Sequence, residues 1–236
     1  MPRTLLLDIG NTRMKWALGA DSQLSDFGGT DHGGDPARAI DLLERPGLST
    51  VRIASVMGTA SDQKLAEHIR TRWGVSAQFA RVEARREGLR VAYAEPQRLG
   101  VDRWLMLLAL WSELHAPFCV ASAGTALTFD AVDANGQHLG GVIAPGLRAM
   151  QKATLGATRF ETRDLTSPYT KALGTDTEAC VRQGALHACA GLIERLGAHA
   201  TGAKFICGGD AETLSPHLAA GWQHRPYLVL EGLLKL

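Results

Sequence analysis

Leu5-Leu6-Leu7-Asp8-Ile9-Gly10-Asn11-Thr12-Arg13-Met14-Lys15-Trp16-Ala17-Leu18 reads as strand, tight turn, strand, and the rest of the chain is organised around it. Leu5 to Leu7 form a short apolar run, as a buried strand would. Gly10 and Asn11 are turn residues that tolerate positive φ. From Arg13 to Leu18 the chain roughly alternates polar and apolar, as the return strand of a hairpin would. Such a turn can offer backbone N–H groups, the Thr12 hydroxyl and the Asp8 carboxylate to one ligand, with Lys15 within reach. Phosphate needs N–H donors at close range, and metal-bound phosphate needs a carboxylate nearby. A plain hairpin, with Asp8 capping its own turn, satisfies the same residues.

The same arrangement returns halfway along. Phe118 to Ala121 is an apolar strand, Ser122-Ala123-Gly124-Thr125-Ala126 a small-residue turn, and Leu127 to Val132 a second strand, with a third from Gln137 to Ile143. Strand, Gly-Thr turn, strand thus occurs near the start of each half, a weak internal symmetry that could set two phosphate-cradling turns on opposite sides of one cleft. Between them the pattern alternates. Strands are expected at Gln23–Phe27, Val51–Val56 and Val75–Phe79, a loop at Gly28–Asp35, and helices at Pro36–Glu44 and Asp62–Trp73. This is a mixed α/β pattern. Pro96 breaks an extended segment, and a long apolar helix follows from about Gly100 to His115. Asp102 and Arg103 fall in its first turn. The helix dipole favours an Asp there, so capping alone explains it, whereas Arg suits bidentate capture of a carboxylate or phosphate.

Further on, helices are expected at Leu147–Leu155, from Asp176 or Thr177 to about Leu196, and at Ala211–Ala220, with a strand at Lys204–Cys207. Arg159–Thr170 reads as a connector, and Tyr227–Leu236 as a closing apolar segment. Thr177 is either a cap or a hydroxyl facing the cleft. Gly208 and Gly209, between strand and helix, would let backbone approach a flat ligand such as a nucleoside.

Composition narrows the classes. The chain has 236 residues, 45% hydrophobic and 21% charged, as an ordinary globular protein has. A net charge of +1 gives no global field for nucleic acid or an anionic membrane. No secretory leader and no membrane-spanning run are expected. Cys119, Cys180, Cys189 and Cys207 form no C-x-x-C pair and read as reduced, mostly buried thiols of a cytoplasmic protein.

Taken in order and spacing, these motifs resemble those of the type III pantothenate kinases, the Bvg accessory factor family, within the superfamily of acetate and sugar kinases, heat-shock 70 proteins and actin. The resemblance runs from Leu5 to about Leu234. It rests on D-x-G-N-T with a following Lys (Asp8, Gly10, Asn11, Thr12, Lys15), on G-x-D-R (Gly100, Val101, Asp102, Arg103) and on G-T-A-x-T-x-D (Gly124, Thr125, Ala126, Thr128, Asp130). It implies two ribonuclease H-like, actin-like halves facing an inter-domain cleft, 1–115 and 116–236. It implies ATP-dependent phosphorylation of pantothenate, the first step toward coenzyme A. ATP and its phosphates would meet Asp8, Ile9, Gly10, Asn11, Thr12, Arg13, Met14, Lys15 and Thr125, and Asp8 would sit near Mg²⁺, directly or through water. Pantothenate would meet Tyr93, Gly100, Val101, Asp102, Arg103 and Thr177, with Asp102 as catalytic base. The family pattern also implies a homodimer, for which the Gly100–His115 helix is a candidate interface element if it is not simply core. A monovalent cation, K⁺ or NH₄⁺, is implied as well, but the family's Asp at that position is Ser122 here, which brings an oxygen and no charge. Two other readings keep the fold: a kinase of another small hydroxylated acid or sugar, and a non-catalytic accessory protein.

Overall fold

The computed structural model describes residues 3–20, 23–43, 47–159 and 166–236. The chain forms two compact units, Met1–Leu114 with Tyr227–Leu236, and His115–Pro226. Each unit carries a five-stranded sheet of the same topology.

In the first unit, β1 (Arg3–Ile9), β2 (Arg13–Ala20) and β3 (Gln23–Asp31) form an antiparallel meander. After α1 (Pro36–Asp41), β4 (Leu48–Ser55) pairs parallel to β1. After α2 (Thr59–Trp73), β5 (Ala77–Phe79) pairs parallel to β4. The sheet order is β3-β2-β1-β4-β5. A two-stranded ribbon, β6 (Arg85–Arg86) with β7 (Leu89–Arg90), leads to the long helix α3 (Val101–Leu114).

The second unit repeats the plan. The meander is β8 (Phe118–Ala123), β9 (Ala126–Val132) and β10 (His138–Pro145). Helices α4 (Leu147–Ala157) and α5 (Thr177–His199) follow. Then β11 (Ala203–Cys207) pairs parallel to β8 and, after α6 (Ala211–Leu214), β12 (Trp222–His224) pairs parallel to β11. The order is β10-β9-β8-β11-β12. Two sheets of one topology, each a meander extended by parallel strands through helical crossovers, are the two ribonuclease H-like halves that the sequence implies.

The central strand β1 is covered on both faces, which is why it reads as an unbroken apolar run rather than an alternation. Leu5, Leu7 and Ile9 join Val51 and Ile53 beneath Ile40 of α1 and Ile69 of α2. Leu6, fully buried, faces the other way, on the side where Leu234 approaches Gly19. Leu234 belongs to α7 (Leu228–Leu234), which lies against β1, β2, β3, β4 and α3. The closing segment, read from sequence with the second half, therefore completes the first unit. In the second unit Ala121, Ala123, Leu127 and Phe129 pack beneath Leu186, Cys189 and Ile193 of α5.

Three expectations are corrected. Gly28–Asp31 belongs to β3 rather than to a loop, because the Trp16 indole lies where a Gly28 side chain would stand, 2.2 Å from its Cβ position. The helix expected at Ala211–Ala220 stops at Leu214. Pro216 cannot donate an N–H, so a 3₁₀ turn at Ser215–His217 replaces it. The first helix, expected to run to about Glu44, ends at Asp41, and half of the connector at 159–170 falls outside the described residues. Of the two readings left open for α3, core is the one met by Arg103 through Trp111, which are buried within one chain.

Candidate active site

The first unit brings three charged side chains together at the end of β1. Asp8 lies opposite Lys15 in the β1–β2 register. Burial pushes the Asp8 carboxyl up to about 7. Lys15 pulls the other way, and the negative charge of Asp102 adds to the rise. Asp8 and Asp102 are thus near enough to feel each other's charge, although 94 positions separate them.

Between β1 and β2 the turn closes on itself, with Gly10 N–H donating to Arg13 O at 3.0 Å. The Ile9 and Met14 side chains are core, so they have only main chain to offer a ligand. Arg13 is exposed and held toward β3, 3.8 Å from Asp31 and donating to Gly29 O at 3.4 Å. The turn is also held from outside, by a residue that sequence reading missed. His32 directly follows β3 and is 4% exposed; its Nε2 lies 2.9 Å from Gly10 O. A single His in a Gly-rich stretch carries no pattern that could have announced it.

The first turn of α3 supplies the second carboxylate. Asp102 Oδ1 accepts from Arg103 N–H at 2.8 Å. Gly100 leaves room for that carboxylate, since a Cβ there would stand 2.6 Å from Asp102 Oδ1. Val101, partly buried, opens the helix between them. Arg103 is buried, a costly place for a cation without partners. Its Nη1 donates to the Tyr93 hydroxyl at 3.0 Å, and its guanidinium lies 5.9 Å from the Tyr93 ring centre. Tyr93 and the G-x-D-R segment, distinct in sequence, form one cluster.

The second unit reproduces the turn. Gly124 N–H donates to Ala126 O at 3.0 Å, and Thr125 is exposed at its tip. Two further segments converge on it. Gly146 follows β10 so closely that a Cβ would stand 2.0 Å from Gly124 O. Gly208, at φ +94°, would place a Cβ 2.2 Å from Ala123 O, which also accepts from Asp210 N–H at 2.9 Å. Arg148 of α4 reaches Asp210 at 3.3 Å and ties two of these segments together. Gly209 faces open space. Ser122, the counterpart of Asp8, pairs with Thr128 across the sheet, and the Thr128 hydroxyl is buried with no hydrogen-bond partner among the described residues. Asp130, the last residue of that motif, lies elsewhere: it is fully buried and 2.9 Å from His138 Nε2.

Asp176 caps α5 by accepting from Ala179 N–H at 2.7 Å, which leaves Thr177 as the first helical residue with its hydroxyl uncommitted to capping. Thr177 borders a groove of about 610 Å³ with Thr154, Gly174, Cys180, Val181 and Ala185.

Comparison with known proteins gives the chain's family. The family model for type III pantothenate kinase matches residues 4–199. The chain belongs to the type III pantothenate kinase family. A type III pantothenate kinase of Nitrosococcus oceani is 31% identical, with 98% of this chain and 92% of that protein covered. One of Thiobacillus denitrificans is 37% identical, with 97% and 94% covered. Among solved structures, a Baf family protein of Campylobacter jejuni superposes with a TM-score of 0.63 at 20% identity, covering 98% of this chain and 96% of that one. Component A of (R)-2-hydroxyglutaryl-CoA dehydratase from Acidaminococcus fermentans superposes at 0.54 and 15% identity, covering 99% and 95%. At these identities the structures speak for the fold alone, and the fold is that of the actin-like ATPases and sugar kinases.

Proposed function

We propose that this member of the family transfers the γ-phosphoryl group of ATP to the primary hydroxyl of pantothenate, the entry step of coenzyme A synthesis, in the cytoplasm. The observation that carries the reading is that the Asp8 carboxyl, opposite Lys15 across the β1–β2 register, lies close enough to Asp102 to feel its charge. One carboxylate is suited to a cation and the other to a proton.

Among the described residues no three His, Cys, Asp or Glu side chains gather into a metal cage. Mg²⁺ in kinases does not ask for one; it takes one or two carboxylates and fills its sphere with phosphate oxygens and water. The Asp8 carboxyl fits that role, because burial beside a second carboxylate penalises its charge until a cation arrives. Asp8 would hold the ion, which when bound neutralises charge on the transferring phosphate.

The chain's own groups do the rest. Asn11 and Thr12 of the first turn and Thr125 of the second present N–H and hydroxyl donors to the phosphates, and Lys15 adds a positive charge. Asp102 accepts a hydrogen bond from the pantothenate hydroxyl and takes its proton as the P–O bond forms. Arg103, Tyr93 and Thr177 orient pantothenate. Phosphoryl transfer asks chiefly for this positioning and charge stabilisation. The testing assay is ADP formation by purified protein with MgATP, with and without pantothenate. Turnover that requires pantothenate is expected, and folded protein without it would end the reading.

The monovalent cation is a separate matter. Ser122 and its neighbour Thr128 offer hydroxyl oxygens and no charge. We expect turnover to depend less on K⁺ in the wild type than in Ser122→Asp, and coincident K⁺ titrations would refute this. The homodimer belongs to the same proposal. Leu139, Val142 and Ile143, exposed apolar side chains of the edge strand β10, are better candidates for such an interface than the buried side chains of α3, and light scattering reads the mass.

A further inference from the structure

The two halves close their phosphate turns in one way and brace them in two. In both, the residue just after the third strand donates its backbone N–H to the turn's threonine carbonyl: His32 to Thr12 at 3.1 Å, and Gly146 to Thr125 at 3.1 Å. In both, that residue also lies against the carbonyl of the turn glycine. Gly146 does so with backbone, leaving no room for a side chain. His32 does so with its imidazole, Nε2 standing 2.9 Å from Gly10 O.

The other ring nitrogen fixes the proton's place. Gly34 N–H donates to His32 Nδ1 at 3.1 Å, so Nδ1 is an acceptor. The proton is therefore on Nε2, and Nε2–H donates to the Gly10 carbonyl. A trans peptide points its C=O and the next N–H in opposite directions. With the Gly10 carbonyl drawn toward a buried imidazole, the Asn11 N–H is turned away from it. The Gly10 N–H is already spent on Arg13 O, so Asn11 N–H is the turn's next donor.

We propose that His32 is a positioning residue for nucleotide binding: by holding the Gly10 carbonyl it aims the Asn11 N–H at the phosphate chain. This rests on the reading of Gly10–Thr12 as a phosphate turn. It adds a residue from outside every motif that points to that turn.

Two substitutions separate aiming from packing. In His32→Gln the side-chain amide nitrogen falls near the Nε2 position and keeps the donor to Gly10 O. In His32→Asn the amide falls near Nδ1, so the contact with Gly34 survives and the one with Gly10 is lost. MgATP affinity by calorimetry and KM for both substrates are then measured. A lost hydrogen bond to a phosphate-facing turn is worth about tenfold. The expected result is a KM and Kd for MgATP raised about tenfold in His32→Asn and near wild type in His32→Gln, with KM for pantothenate unchanged in both. Equal MgATP affinity in the two variants overturns the proposal. Where His32→Asn does not fold, ¹⁵N-histidine spectra of the wild type decide. The signal missing from His32→Gln must report the Nε2–H tautomer, and the opposite tautomer overturns the proposal too. Wild-type protein that does not bind MgATP would instead remove the phosphate-turn reading beneath it.

Discussion

Two residues at the site are placed at the expense of comfort. Asp102 keeps its carboxylate over the start of α3 only because residue 100 has no side chain. Gly100→Ala should push that carboxylate aside. Displacing a reacting group by about 1 Å can cost on the order of a hundredfold in rate. We expect kcat to fall about 10–100-fold with melting within a few degrees of wild type. Asp102→Asn, which removes the proposed base altogether, should lose about 10²–10⁴ and still bind pantothenate. A Gly100→Ala enzyme of full kcat would free Asp102 from the role. Asp8 is the second case. Its carboxyl titrates near 7 in the fold against 3.8 ordinarily, so between those values the folded chain binds the extra proton. Stability without ligands is therefore highest below about pH 4 on this account, and falls as pH rises through 7. The loss amounts to about 4 kcal/mol at most, at 1.36 kcal/mol per unit. Asp8→Asn should lose that slope and melt higher than wild type at pH 8 in the absence of MgATP, while losing activity. Melting curves at pH 5 and 8 check it, and a lower-melting variant at pH 8 would contradict it. These two residues were legible in sequence because acids beside glycines are conspicuous. His32 was not, because its meaning lies in two contacts, with Gly10 and Gly34, that no spacing announces.

The elements show why the halves could be recognised as a pair and why their ends could not. Alternation and the apolar runs placed β1, β2, β8 and β9 correctly, since each is a strand whose side chains must be buried or half-buried. β12 escaped notice. It is three residues long, Trp222 to His224, and is a strand only because β11 offers it a parallel edge. The G-T turn was seen, but not what packs on it. The helix expected from Leu147 gave no role to the glycine before it, whereas Gly146 meets Gly124 O with no space for a methyl group. Gly146→Ala must move backbone, not a flexible side chain. Overpacking of that kind costs about 1–3 kcal/mol, read by urea denaturation, and should also raise KM for MgATP. Gly209→Ala is the control, since its Cβ meets nothing within 4 Å. Equal stability of the two variants would mean the close approach at Gly146 carries no energy.

At the scale of the molecule, the sequence announces two halves but not which one owns the last ten residues. Reading in order, they follow β12 and belong with it. In space they belong to the first unit, where α7 covers the face of β1 that α1 and α2 leave open. No local pattern distinguishes these outcomes, because an apolar helix fits any uncovered sheet face. The packing is nonetheless specific. A Cβ on Gly232 would stand 2.3 Å from Leu105 O, so α7 lies directly on the backbone of the helix that bears Asp102. Arg52 donates to Leu233 O at 3.3 Å, and Arg86 to Lys235 O at 3.1 Å. Leu228, Leu230 and Leu233 are 1%, 0% and 0% exposed. Burying each is worth about 1.5–3 kcal/mol, so the three supply about 5–9 kcal/mol. That is comparable with the whole stability of a typical domain, about 5–15 kcal/mol. Removing Leu228–Leu236 should therefore abolish cooperative melting and pantothenate-dependent turnover together, although no residue placed at the site is deleted. Gly232→Val is the milder form. It keeps the leucines but forces α7 off Leu105, and it should lower the melting temperature and kcat without unfolding the chain. A truncated protein that melts and turns over as the full chain does would show that the first unit stands without its distant end.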